Sequence, residues 1–331
     1  MSNLYPLLLK PFFSPRPWGS LDLSPIYAEL PGKDGEPIGE SWLTGDQCVV
    51  ANGPLAGKTL DQVAKQFGRE LVGETAPQPD RYPLLMKFIF PQDKLSVQVH
   101  PDDAGAQKIG FPVGKTECWY VLDAKPGAQI GLGLKRGTTR EQLRKAIEDK
   151  TAEKLLNWID VKAGEMYYVD AGTVHAIAGG LILVETQQNS DLTFRLYDYG
   201  RPRELHVEQG LEAAREATLA GKVLDAKAPA LVESPFFVVE KFRLGKEQTF
   251  SLQADSAAQA LVAVAGGGVI ESAGNAPVAF TRGEAVVIPA DVKNAHVIPQ
   301  WEVEFIRSKV PQAGLPAPKT LRVNSAEVTH A

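Results

Sequence analysis

With 331 residues, 44% of them hydrophobic and 23% charged, the chain has the composition of a soluble globular protein and the length of two domains. A formal net charge of -5 provides no general basic field for nucleic acid or an anionic membrane, so an anionic ligand requires a local cluster of Lys and Arg. Cys48 and Cys118 make neither a disulfide framework nor a CxxC metal site, and no apolar run suits a signal peptide or a membrane span, so a cytoplasmic setting is expected.

Taken in chain order, the predicted elements are mostly short strands separated by Gly and Pro turns, the pattern of antiparallel barrels and sandwiches. Leu60, Val63, Ala64, Phe67 and Leu71 recur at helical spacing behind Thr59, a cap residue. Strands are expected at 95–100, 117–122 and 128–134, then a helical stretch over 139–158. Further strands at 166–169, 181–186 and 193–197 precede a helix at 207–217. The segment 225–235 reads as a linker, and strands at 236–244, 260–264, 285–288 and 303–306 follow it. The expected domains are therefore 1–222 and 235–331.

Residues 163–177 and 282–298 echo one another, each with Gly-Glu, a β run, a turn and a histidine. Two related β-barrels explain such an echo, as does chance similarity between hairpins. The segment 94–103, KLSVQVHPDD, carries the sharpest chemical signal. Strand alternation places Leu95, Val97 and Val99 on one face and Ser96, Gln98 and His100 on the other. An i, i+2 pair of side chains is how a strand grips a metal, although a polar face meeting water shows the same pattern. Glu117 begins the next strand, and His175 ends a later β segment after a turn. Two imidazoles, a carboxylate and an amide oxygen suit zinc with a position open to substrate.

Residues 180–201 read as a hairpin turning near Ser190, which sets Glu185 opposite Arg195 and Gln187 opposite Thr193. A carboxylate beside a guanidinium suits acid–base and charge-stabilising work, or a structural ion pair.

The stretches GESWLTGDQCVVANGPLAGKTL (39–60), YPLLMKFIF (82–90), LSVQVHPDD (95–103), GKTECWYVLDA (114–124), YYVDAGTVHAI (167–177) and LVETQQNSDLTFRLYDYGR (183–201), with PRELH (202–206), resemble the short bacterial form of type I mannose-6-phosphate isomerase. The resemblance implies a mainly β fold of two cupin-type (jelly-roll) barrels with a few short helices. It also implies one zinc ion and interconversion of mannose 6-phosphate with fructose 6-phosphate, a small phosphorylated sugar. By motif position it places zinc on Gln98, His100, Glu117 and His175 and makes Arg195 an active-site arginine, with Lys87 and Glu185 in the same pocket. Lys115 and Arg16 are further candidates for substrate contact. His296 has no Gln-x-His partner upstream, so the second domain is expected to bind no metal. The sequence departs from the family at Asp103, where longer members carry lysine, and at Gln98, where some short members do. A non-catalytic sugar-phosphate sensor, an isomerase of another phosphosugar and an iron-dependent cupin oxygenase are the competing readings; Gln98 and the 180–201 segment argue against the oxygenase.

Overall fold

Runs rich in Val, Ile, Leu and aromatic residues, cut by Gly and Pro, form strands along most of the chain, and the fold is mainly β. The structure, a computed structural model, describes residues 4–29, 35–224, 226–252, 256–312 and 315–322. Among the described residues no helix is long and apolar enough to cross a membrane.

The main helices begin where side chains satisfy the first free N–H groups. Thr59 and Gln62 form a reciprocal capping box at Leu60–Phe67, and Thr139 and Gln142 do the same at Arg140–Glu148. The helical pattern expected to run to Trp158 stops earlier. Lys150 takes a positive φ of 57°, a single 3-10 turn covers Ala152–Leu155, and Leu156–Asp160 is a strand. Ladder pairing of that strand with Gln129–Leu134 outweighs the local helical periodicity. The expected 207–217 helix is likewise shorter, Val207–Ala213, because Ala214 is extended.

Contacts group the chain into two units, one of residues 1–14, 21–88 and 227–317, the other of 15–20, 89–226 and 318–331. Of the segment 225–235, expected as a linker, Ala230–Glu233 is instead a strand paired with Val238–Gly245, and the change of unit falls after Ala226. Residues 21–88, expected with the first domain, group with the C-terminal strands. In that unit the strands Ala230–Glu233, Val238–Gly245, Ala295–Lys309, Gln259–Ser272, Ala285–Ile288, Leu7–Lys10 and Val49–Val50 pair in this order.

The other unit carries two sheets. One runs in the order Phe194–Tyr197, Val97–Val99, His175–Ile177, Gln129–Leu134, Leu156–Asp160. The other includes Leu181–Gln188, Glu117–Ala124, Met166–Val169 and Gly221–Val223 in that order. Their inner faces share one core, with Trp119, Val121, Tyr167 and Leu183 from one sheet and Ile130, Leu132 and Ile177 from the other. The outer face of the first sheet, with Val97, Val99, Ala176, Phe194 and Leu196, is buried beneath Leu143, Ile147 and Leu211 of the helices. Leu95 departs from the expected alternation. It precedes the strand, which is only Val97–Val99, and joins the inner core.

Leu143 is 1% exposed at the centre of this helix–sheet contact. Leu143→Ala is expected to lower unfolding stability by about 2–5 kcal/mol, measured by denaturant titration. A change under about 0.5 kcal/mol, typical of a surface site, would show that the helix does not seal the sheet.

Candidate metal centre and active site

Register brings the polar residues together. His175 pairs with Gln98 on one side and with Leu132 on the other, while Arg195 pairs with Gln98 from the far strand. Cross-strand partners point to the same face, so Arg195, Gln98 and His175 form a row on the inner face beside Leu132. Strand spacing sets the row's step at about 4.8 Å. His100 follows the Val97–Val99 strand with the parity of Gln98. From the second sheet, Glu117 and Gln187 are paired, as are Trp119 and Glu185.

The imidazoles are held by their outer nitrogens. His100 Nδ1 donates to the Leu192 carbonyl and His175 Nδ1 to the Thr173 carbonyl, each at 2.9 Å. A carbonyl accepts only, so the proton sits on Nδ1 and each Nε2 presents a lone pair. Glu117 lies between them, with Oε2 3.6 Å from His100 Nε2 and Oε1 3.5 Å from His175 Nε2. All three side chains are buried, and this is the one group of three or more His, Cys, Asp or Glu residues arranged to hold a metal among the described residues.

The donor set fits a metal. Tetrahedral zinc with bonds of about 2.0–2.2 Å places its ligand atoms about 3.3–3.6 Å apart, the spacing of Glu117 to both imidazoles. Burial first, then the charge of Lys115, holds the His175 pKa down to about 4, against the Thr173 hydrogen bond and Glu185, so the imidazole is neutral as a ligand must be. Gln98 donates an amide N–H to His175 Nε2 at 3.2 Å, and rotating the amide by half a turn exchanges this nitrogen for the oxygen a metal requires.

Lys115 occupies a more central place than its sequence position indicated. Its buried ammonium donates to His100 Nε2 at 2.9 Å and to Glu117 Oε2 at 2.5 Å. Burial opposes that charge, but Glu117, Glu185 and Asp191 outweigh it and raise the Lys115 pKa. The Trp119 indole N–H is 3.1 Å from both Glu117 Oε1 and Glu185 Oε2, tying the two carboxylates into one network. Cys118, on the opposite face, is buried and its pKa is raised by that burial.

Glu185 and Arg195 are not partners in a hairpin. Leu181–Gln188 pairs with Glu117–Ala124, whereas Phe194–Tyr197 pairs with Val97–Val99 in the other sheet. The chain changes sheets at 189–193, where the Gln187 side chain donates to the carbonyls of Gln188 and Ser190 and holds the corner. The two charges therefore face the interior from different walls. Lys87 belongs to the other unit, where its ammonium is 3.8 Å from Glu40 and lies over the Trp42 ring.

Around Arg195 a positive cluster forms. Its guanidinium donates to the Glu204 carbonyl at 2.8 Å, and its buried Nε has no hydrogen-bond partner among the described residues. Burial first, then the charges of Arg203 and Arg16, lower its pKa, against Asp198 and Glu204. Buried Asp198 fixes Arg203 through two bonds of 2.6 Å. Sequence reasoning gave Arg203 no role and set Gln187 opposite Thr193, whereas the ladder pairs it with Glu117. Arg203 stands in PRELH, eight residues beyond Arg195, and no strand period relates the two. The buried Gln187 Oε1 has no hydrogen-bond partner among the described residues and faces the same interior as Glu117.

Comparison with known proteins identifies the family. The family model for the phosphomannose isomerase type I catalytic domain matches residues 7–132. Mannose-6-phosphate isomerase ManA of Bacillus subtilis is 37% identical over 267 residues, spanning 75% of this chain and 82% of that protein. The crystal structure of the mannose 6-phosphate isomerase from Bacillus subtilis superposes with a TM-score of 0.79 at 31% identity, covering 92% of this chain and 99% of that one. A zinc-bound holo structure of a mannose 6-phosphate isomerase shares the fold, with a TM-score of 0.72 at 16% identity over 93% of this chain and all of that one. Identity of this degree over most of both chains places the protein in the type I mannose-6-phosphate isomerases, a family of aldose–ketose isomerases.

Proposed function

We propose that the chain interconverts mannose 6-phosphate and fructose 6-phosphate through an enediol, using one zinc ion held by His100, Glu117, His175 and Gln98. We further propose that this site lies in the first of two cupin-type barrels and that the enzyme works in the cytoplasm. The observation that carries the reading is the buried His100–Glu117–His175 group sharing an interior with Arg195 and its cluster. The zinc-bound structure of a fold relative supports the choice of metal.

With two neutral imidazoles, one carboxylate and one amide, bound zinc keeps a charge of about +1 and supplies Lewis acidity toward sugar oxygens. The remaining work falls to the chain's own residues. In the aldose-to-ketose direction a base takes the C2 proton while the C1 oxygen gains one. The 2-hydroxyl then loses its proton and C1 gains one, so the reaction is a rearrangement. Glu185, buried and fixed by the Trp119 indole, acts as or supports the acid–base group. An Nε2 lone pair serves one partner at a time. Lys115 therefore releases His100 when the metal is held, and its ammonium turns to substrate oxygens.

Arg195 stabilises the enediolate and nearby phosphate charge. The crowding of Arg195, Arg203 and Arg16 is relieved by a dianion, which fits a phosphate better than a neutral sugar. From His175 to Arg195 is two strand steps, about 10 Å, enough to hold the two ends of an open hexose phosphate.

A coupled assay is expected to detect fructose 6-phosphate formation from mannose 6-phosphate, its loss on chelation and its return with zinc. An inactive zinc-loaded protein that still binds the sugar would favour the sensor. Arg195→Ala is expected to keep its zinc and lose about 100-fold or more in kcat. Turnover equal to the parent enzyme would remove Arg195 from the mechanism.

A further inference from the structure

The three proposed ligands come from separate segments, and one tight turn contacts each segment. Within Asp170–Thr173, the Gly172 N–H donates to the His100 carbonyl at 2.8 Å. The Ala171 N–H lies 3.3 Å from Thr116 Oγ1, one residue before Glu117. The Thr173 carbonyl accepts the Nδ1 proton of His175 at 2.9 Å. This turn therefore sets both the positions of the ligands and the tautomer of one of them.

The side chain that ties the turn down is a single carboxylate. Asp170 accepts from Thr173 Oγ1 at 3.1 Å, and both of its oxygens lie 3.0 Å from the Leu219 N–H. The Thr173 N–H closes the turn onto the Asp170 carbonyl at 3.1 Å. From the same neighbouring segment, the Arg215 N–H donates to the Gly172 carbonyl at 2.9 Å. Gly172 has φ +90°, a left-handed conformation that favours glycine, and a Cβ there would press on the Arg215 side chain. Asp170 touches no proposed ligand directly; its route to His175 runs through Thr173.

We infer that Asp170 is a positioning residue for the metal, pre-organising His100, Glu117 and His175 by anchoring the 170–173 turn to Leu219. The inference rests on the zinc reading given above. Partners that orient metal ligands from outside the coordination sphere change affinity by about 10–100-fold when removed. Asp170→Asn keeps the shape but replaces one acceptor oxygen with a donor facing the Leu219 N–H or the Thr173 hydroxyl. Its expected phenotype is weaker zinc binding with kcat recovered at saturating zinc.

The test is the zinc dissociation constant of the whole chain by competition with a chromogenic chelator, with thermal melting of the metal-free protein alongside. Asp170→Asn is expected to weaken zinc binding about 10–100-fold, and Thr173→Val, which removes only the hydroxyl donor, by a smaller factor. Leu143→Ala, a core substitution away from the turn, is expected to lower the melting temperature and leave zinc affinity unchanged. If Asp170→Asn binds zinc within twofold of the parent, or loses affinity only as Leu143→Ala does, the assignment is overturned while the zinc reading stands. If the variant does not fold, an unchanged affinity in Thr173→Val overturns it. A parent chain that binds no zinc overturns both.

Discussion

The site depends on a strand whose apolar face is sealed by helices. Val97 and Val99 are covered by helices on one side, so the period of two forces Gln98 toward the interior on the other. Pairing then fixes His175 and Arg195 on that same face without any attraction between the polar groups themselves. A one-residue slip of this strand would send Val97 and Val99 inward and Gln98 beneath the helices, which hydrophobic burial opposes. Ligand geometry is therefore inherited from apolar packing.

That packing encloses charge, which must be answered locally. Glu117 is 1% exposed, and an isolated carboxylate there would be costly; Lys115 and the Trp119 N–H supply its partners. Removing one member of such a buried pair typically costs about 3–5 kcal/mol. These hydrogen bonds explain why a lysine and a glutamate two residues apart can both point inward beside His100 and His175.

Much of this was legible because strands write their faces into sequence. The i, i+2 spacing of Gln98 and His100, and the shared face of Glu117, Trp119 and Val121, follow from alternation alone. The mainly β class was legible from turn residues. Helical periodicity misled beyond Glu148, where ladder pairing took Leu156–Asp160 into a sheet. The Glu185–Arg195 hairpin failed for a related reason. Two strands joined by a short connection read the same whether they pair with one another or enter different sheets. Lys115 reaches His100 from beyond a turn, Arg203 meets Asp198 outside any strand, and Asp170 meets Leu219 from a distant segment, and no strand period records such contacts.

The change of sheet between Gln188 and Phe194 has a further consequence. Side by side in a hairpin, Glu185 and Arg195 would neutralise one another, and each would have to be pulled from its partner before acting on anything else. Facing sheets stand about 10 Å apart, so the carboxylate and the guanidinium look across a gap rather than along a ladder. Opposite charges held apart in this way leave a standing field across the interior, which a molecule entering the gap experiences along its length.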